Sequence, residues 1–235
     1  MKTILSILAL SFLFIQAKSQ EIKSLDLDPF SGVKISGPFV VTLIQGEKNH
    51  IEINSEDIPI NEFDISVGGG TLKVSLENRN YFNNFEQYDL DNWGEITITY
   101  QSIDYIRAGM GAQINFENKI IGESLIIEAF TGAEIKLMTE TINTYININT
   151  GAVVEIDGTS NYTEVKLTTG AQLNARHLQS DEVVVKAGTG SVGRFDVKES
   201  IECTAVTGGE IYYFGNPRNV YSNTILGGIV SKGNF

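Results

Sequence analysis

The residues best suited to bind a ligand fall in one segment, from Asn78 to Glu95. Exposed aromatic rings beside carboxylates are typical of sugar-binding surfaces, and clustered carboxylates are typical of calcium loops. The candidate ligand-binding residues are Tyr81, Phe82, Phe85, Tyr88, Asp89, Asp91 and Trp93. An alternative stays open, in which these rings only pack over the end of the fold.

The sequence "DLDNWG" in this segment begins like a calcium-binding loop. That motif needs oxygen ligands at its fifth and twelfth positions, which are Trp93 and Tyr100 here. Neither residue offers a carboxylate. We therefore expect no calcium site.

The stretch "GTGSVG", from Gly188 to Gly193, matches the glycine pattern that holds the phosphates of a dinucleotide. Such a site requires a helix directly after the glycines, with the phosphate at its N-terminus. The next residues, "RFDVKESIECTAV", alternate between apolar and polar as a strand does. The match therefore indicates no cofactor site.

Motifs for metal binding and catalysis do not occur in the sequence. His50 and His177 have no neighbour at metal-ligand spacing, and Cys203 is the only cysteine. No G-x-S-x-G or H-E-x-x-H motif is present. We expect no catalytic residue, metal or cofactor. Lys166 and Lys186 are expected to stack on one outer face, which keeps a polysaccharide-active enzyme open as an alternative.

The sequence contains a repeat of 18–21 residues, and the fold of this repeat determines where the surface residues lie. Seven copies of a motif such as "TGAEIKL" follow one another, each with a glycine at the same place. These glycines are Gly111, Gly132, Gly151, Gly170, Gly190, Gly208 and Gly227. Fixed periodicity of this kind is typical of repeat architectures, in which each copy packs on the next.

Within each copy every second residue is apolar or small, which predicts strands with one face inward. The sequence therefore predicts an all-β fold, a parallel β-helix of about seven coils. Antiparallel hairpins also fit the alternation, but they would not need the same corner in every copy.

Each coil is expected to bend twice. The glycine makes one bend, and we expect the residue before it to face inward, so that Thr131 to Thr207 form a ladder. A polar turn of about six residues is expected to make the other bend.

A single domain is expected from residue 20 to residue 235, because no Pro-rich or Ser-rich linker divides the chain. Residues 101–235 carry the regular repeats. Residues 20–100 contain irregular strands, which form either early coils or a cap. The last copy has the polar residues Ser222, Thr224 and Lys232 at inward positions and is expected to end the stack.

The first residues, 1–19, form a predicted secretory signal peptide, with Lys2, an apolar run, and Ala17 and Ser19 before the expected cleavage site. No other apolar run is long enough to cross a membrane as a helix. The net charge of −12 argues against a nucleic-acid partner. We expect a secreted protein in the periplasm, at the outer surface or outside the cell.

The repeated small-Gly-Ala motif, the stretch "YQSIDYIRAGMGAQINF" and the closing "YYFGNPRNV" resemble the family of putative auto-transporter adhesins with a head GIN domain. The resemblance covers roughly residues 29–220. It implies a right-handed β-helix, secreted or associated with the envelope, from bacteria of the Bacteroidetes group. It implies no established activity and no catalytic residues.

The function expected from these features is binding without catalysis. An elongated β-helix would present its surface to a glycan, to a cell-surface protein or to another copy of the chain. A polysaccharide-active enzyme and a structural envelope protein remain the alternatives.

Overall fold

The computed structural model describes residues 21–55, 58–77 and 94–233 of the chain. These residues form a β-solenoid of about seven turns, as the repeat predicts. The predicted signal peptide lies outside the described residues. The right-handedness that the family resemblance implies stays a prediction.

The N-terminal strands are short. They are β1 (Glu21–Asp26), β2 (Gly32–Ser36), β3 (Val40–Gln45), β4 (His50–Ser55), β5 (Phe63–Gly68), β6 (Thr71–Leu76), β7 (Glu95–Tyr100), β8 (Tyr105–Gly109) and β9 (Gln113–Phe116), with a 3-10 turn at Ile60–Glu62. The later strands are β10 (Ile120–Ala129), β11 (Glu134–Ile148), β12 (Val153–Leu167), β13 (Gln172–Ala187), β14 (Val192–Val206), β15 (Glu210–Gly215), β16 (Asn219–Ile225) and β17 (Ile229–Lys232).

The regular coils stack in parallel and in register. Ile135 pairs with Val154, which pairs with Leu173 on the next coil. All three side chains are fully buried, and Ile114 and Ile211 continue the same column, with Gly193 at the equivalent position between Leu173 and Ile211. The core is therefore a set of columns running along the solenoid, and antiparallel hairpins are excluded for the repeats.

The corner of each regular coil is a two-residue turn. At the fourth corner Thr169 and Gly170 both have positive φ angles, 51° and 72°, as in a type I′ turn. Ala171 donates its N–H to the carbonyl of Thr168 at 3.3 Å, which closes the turn. The side chain of the residue before the glycine is exposed, so the expectation that it faces inward is wrong. A left-handed pair at the corner turns this side chain outward.

The second bend also differs from the expected polar turn. Strands β11 to β14 each run from one glycine corner to the next, and in β11, β12 and β13 threonine or serine side chains at this bend are buried. Thr144 donates to Ser160 at 3.0 Å, and the hydroxyls of Thr163 and Ser180 lie 2.8 Å apart. A buried chain of hydroxyls thus replaces apolar packing on this side of the core.

The N-terminal third contains both of the expected features, early coils and a cap. Strand β2 pairs in parallel with β6 on one side and β8 on the other, and β3 lies in the same way between β7 and β9. The coil of residues 32–45 therefore lies between two coils that come later in the chain. Antiparallel strands follow outside them, with β4 on β7, β1 on β4 and β5 on β6.

The last coil, at the C-terminal end of the solenoid, is exposed to solvent. Strand β16 pairs with β14, and its seven residues are all exposed. Ser222, Thr224 and Lys232 are exposed there, which agrees with the prediction that the last copy ends the stack.

Candidate functional site

The predicted ligand-binding segment lies outside the described residues. Tyr81, Phe82, Phe85, Tyr88, Asp89, Asp91 and Trp93 all fall within residues 78–93, so their role stays a prediction. The flanking residues place the segment in the fold. The chain leaves β6 at Leu76 and enters β7 at Glu95, and these strands occupy the outermost parallel coil.

A row of three cations crosses neighbouring strands on the outer face. Lys34 on β2 stands in register with Lys73 on β6 and with Arg107 on β8. We call these three residues the cation row. Sequence reasoning found Arg107 in the repeat but missed Lys34 and Lys73, because their strands carry no repeat motif.

Carboxylates partner the two ends of the cation row. Lys73 Nζ lies 3.3 Å from Asp64 Oδ2, and Arg107 Nη1 donates to Glu128 Oε2 at 2.9 Å. Lys34 has no carboxylate partner among the residues that the structure describes. Its ammonium instead lies over the ring of Tyr105, 5.5 Å from the centroid.

A groove of about 310 Å³ opens beside this row. All three cations line it, together with Met110 and Phe130. The Arg107 guanidinium lies 4.6 Å from the centroid of the Phe130 ring, which is a cation–π contact. We call this feature the cation groove. It combines positive charge with apolar walls on a chain whose net charge is −12.

Hydrogen bonds fix one wall of the cation groove. Tyr105 donates its hydroxyl to Glu128 Oε2 at 2.6 Å, and this oxygen also accepts from Arg107. Burial, together with the bond to Glu128, raises the pKa of Tyr105, so its hydroxyl keeps its proton. Burial alone would lower the pKa of Arg107, but its bonds to Tyr105 and Glu128 outweigh burial and raise it. Tyr105 therefore stays protonated and Arg107 stays charged across the physiological pH range.

Two further hollows continue the outer face on either side of the groove. One, of about 560 Å³, shares Ser36, Lys73 and Met110 with it and reaches Glu77, next to the predicted ligand segment. The other, of about 180 Å³, is lined by Ile126, Tyr145 and Lys166 among others. The site is therefore part of an extended concave face.

The two lysines of the enzyme hypothesis do stack. Lys166 pairs in register with Lys186, and both side chains are exposed. No group of three or more His, Cys, Asp or Glu side chains that could hold a metal is found in the described part of the chain. The exposed pair by itself resembles a solvated face.

One constellation escaped sequence reasoning. His50 Nδ1 lies 2.8 Å from Asp26 Oδ1, and His50 Nε2 lies 2.9 Å from Ser24 Oγ, which is the atom order of a serine hydrolase triad. The carboxylate of such a triad is buried, whereas the Asp26 side chain is 82% exposed. The three residues sit on the outermost strand β1 and its partner β4, and the hollows of the outer face are lined by other residues. We assign them to holding β1 on the sheet.

Cys203 is a core residue. Its side chain is 1% exposed, and burial raises the pKa of the thiol to about 12, with Glu202 adding to the shift. A thiol with such a pKa carries almost no thiolate at neutral pH. It does not act as a nucleophile.

The "GTGSVG" stretch lies at a corner and the strand that follows it. Gly190 is the turn glycine, with φ 66°, and β14 begins two residues later. Gly193 faces inward, where a methyl group would meet the ring of Phe195 at 2.6 Å. The chain continues as β14, which agrees with the prediction that a strand and not a helix follows these glycines. All seven predicted glycines lie at corners with positive φ.

The fold and the surface define a β-solenoid with a concave, mixed cationic and apolar face. Residues 29–217 match the family model of the putative auto-transporter adhesin, head GIN domain. The chain belongs to this family.

Solved structures of similar fold come from related bacteria. A putative adhesin from Bacteroides fragilis superposes with a TM-score of 0.80 at 17% identity, covering 92% of this chain and 97% of its own. A putative adhesin from Parabacteroides merdae gives 0.72 at 16% identity, covering 93% and 98%. A putative lipid binding protein from Parabacteroides distasonis gives 0.69 at 14% identity, with the same coverage. No curated protein matches the chain. In the described residues, no helix has the length and apolar character needed to cross a membrane.

Proposed function

We propose that this protein is a secreted adhesin-like protein that binds a surface glycan on the outer face of its solenoid, without catalysis. Membership of an adhesin family supports binding as the general role. The observation that carries the proposal is the cation groove, where charged donors and the apolar walls of Phe130 and Met110 line one cavity. Sugars need both polar partners and a flat apolar surface for their C–H groups.

The alternatives make different predictions for the same face. A polysaccharide-active enzyme would need acid and base groups facing a bound chain, and Lys166 with Lys186 is the strongest such pair. A structural envelope protein would have no diffusible ligand. Neither alternative accounts for a groove with apolar walls beside a lysine that has no carboxylate partner in the described residues.

A glycan array tests the proposal. The wild-type protein is expected to bind a defined set of glycans, and Arg107→Ala is expected to weaken that binding by about tenfold, because it removes a charged donor from the groove. Lys48→Ala is the control, since it removes an exposed cation that lines neither the groove nor its two neighbouring hollows. Trp93→Ala, compared in parallel, tests the predicted ligand segment. An array with no bound glycan would refute the proposal.

Secretion forms part of the proposal. The predicted cleavage before Gln20 places the new N-terminus one residue before β1. Mass spectrometry of the protein recovered from the producing cell is expected to show Gln20 as the first residue. Recovery of an intact N-terminus from the cytoplasm would contradict secretion.

Self-association is the remaining proposal from the expected partners. The exposed side chains of Val220, Tyr221 and Ile225 on β16 offer the place for a second copy. Sedimentation velocity is expected to show a concentration-dependent dimer that Val220→Lys abolishes. A monomer at all concentrations would remove this proposal and leave glycan binding untouched.

A further inference from the structure

The cation row contains three cations but two carboxylates. Asp64 neutralises Lys73 at one end of the row, and Glu128 neutralises Arg107 at the other. Lys34 in the middle has a cation on each side and no carboxylate partner within the described ranges. Like charges on neighbouring strands destabilise a sheet, and no negative charge balances the centre of the row among the residues that the structure describes.

The groove offers a binding position at Lys34 for a negatively charged group of a ligand. Lys34 lines the cation groove, and its Nζ lies over the face of Tyr105, which leaves donor hydrogens free for an acceptor. A negatively charged group in the groove would complete the alternation of charges along the row.

The size and walls of the groove select what carries this charge. A volume of about 310 Å³ is at the lower end for a small-molecule site and exceeds what a single phosphate or carboxylate group fills. Met110 and Phe130 supply apolar surface next to the cations. A sugar ring that bears a charged substituent meets both conditions.

We propose that the cation groove binds an anionic sugar residue of a glycan, with the carboxylate or sulfate of that residue on Lys34. This inference rests on the proposed function and specifies the ligand class of the same site. Lys34 bears the direct contact, and Lys73 and Arg107 add positive potential from either side. The ring of the sugar lies against Phe130 and Met110.

The experiment is a titration calorimetry series on the full chain with three matched oligosaccharides. One contains glucuronic acid, the second is its carboxyl-reduced counterpart, and the third is a sulfated neutral oligosaccharide. The wild type is expected to bind the glucuronate form about tenfold more tightly than the reduced form, because a charged hydrogen bond is lost on reduction. The sulfated form shows which of the two anionic groups is preferred.

Variants assign the effect to the row. Lys34→Gln is expected to abolish the preference for the charged sugar, and Lys34→Arg is expected to keep it. Lys48→Gln, at an exposed lysine that lines neither the groove nor its two neighbouring hollows, is expected to change nothing. Asp64→Asn frees Lys73 and is expected to tighten binding of the charged sugar, a gain that misfolding does not produce.

The outcomes separate the two proposals. Equal binding of the charged and reduced forms, or an unchanged preference in Lys34→Gln, would overturn this inference and leave glycan binding intact. Displacement of the oligosaccharide by inorganic phosphate as effectively as by free glucuronate would overturn the sugar part of it. Absence of binding to every glycan would refute the proposed function itself.

Discussion

Gly170 donates its backbone N–H to the carbonyl oxygen of Thr189, the corner residue of the next coil, at 2.9 Å. The same bond joins Gly111 to Thr131, Gly132 to Thr150, Gly151 to Thr169 and Gly190 to Thr207. The corners are therefore linked along the solenoid axis by their own backbone. This linkage depends on a left-handed conformation that most residues avoid.

Gly170→Ala is expected to lower the free energy of unfolding by about 1 kcal/mol, because alanine at a φ of 72° is strained. A methyl group there would meet no atom within 4 Å, so the cost comes from the backbone alone. Urea denaturation followed by circular dichroism measures it. Gly68→Ala is the matched control, with equally open space and no positive φ, and it should not destabilise. Equal changes in the free energy of unfolding for Gly170→Ala and Gly68→Ala would contradict the explanation by backbone strain.

Thr169→Asn is expected to raise the free energy of unfolding by about 0.5–1 kcal/mol. Thr169 is β-branched and has a φ of 51°, a conformation that asparagine tolerates better. The same denaturation experiment measures the gain. Thr159→Asn, at an exposed strand position, serves as control and should stabilise nothing. A loss at Thr169 would show that the threonine side chain contributes to the corner.

Tyr100→Phe is expected to leave the stability unchanged or raise it by about 1–2 kcal/mol. The Tyr100 hydroxyl is buried, and no partner accepts or donates to it in the part of the chain that the structure describes. Burial raises the pKa of Tyr100 above its ordinary 10.0, so the folded state holds a proton that the unfolded state releases at high pH. Wild-type stability should therefore fall as the pH rises above about 10, and the variant should lose part of this decline.

The contrast to Tyr100 is Tyr105, whose hydroxyl donates to Glu128 at 2.6 Å. Tyr105→Phe should cost about 1 kcal/mol, because a carboxylate loses a donor. If Tyr100→Phe lowers the free energy of unfolding as much as Tyr105→Phe does, the Tyr100 hydroxyl has a hydrogen-bond partner in the folded protein.

Cys203 should resist thiol reagents in the native state at about pH 8, because its pKa of about 12 leaves almost no thiolate. The Cys203 thiol should be labelled only when the coil that contains it unfolds. Since the folded pKa is the higher one, the contribution of this thiol to stability should be lost as the pH rises above the unfolded value of 9.0. Ser222 occupies the same register position on the exposed last coil. In a Cys203→Ser, Ser222→Cys variant, the thiol should react at once.

The Ser24, His50 and Asp26 group is expected to give no ester hydrolysis beyond that of an exposed histidine. Wild type, Ser24→Ala and His50→Ala should be compared with an activated ester such as p-nitrophenyl acetate. Ser24→Ala should match the wild type, because no buried carboxylate orients His50. Saturable turnover that disappears in both variants would establish a catalytic site and contradict our assignment.

The sequence alone predicts the regular coils and their inward columns, because a glycine at every corner marks the period. It does not predict the outward turn of Thr169, since alternation through the corner looks unbroken until the two left-handed residues are known. It also does not predict that Lys34 stands between Lys73 and Arg107. Those strands carry no repeat motif, and their order in the stack differs from their order in the chain. The candidate site therefore depends on long-range pairing that local patterns do not encode.

The position of residues 32–45 has a consequence for synthesis on the ribosome. These residues leave the exit tunnel early, yet both of their strand neighbours come later, with the last at Phe116. Strands β6 and β7 supply a partner on one side first, and the other edge of β2 and β3 stays unpaired until β8 and β9 are made. Each later coil, in contrast, adds to an edge that is already formed. The shortest nascent chain that acquires protease resistance in this region should be one in which Phe116 has left the exit tunnel. Closing such long loops is the slow step.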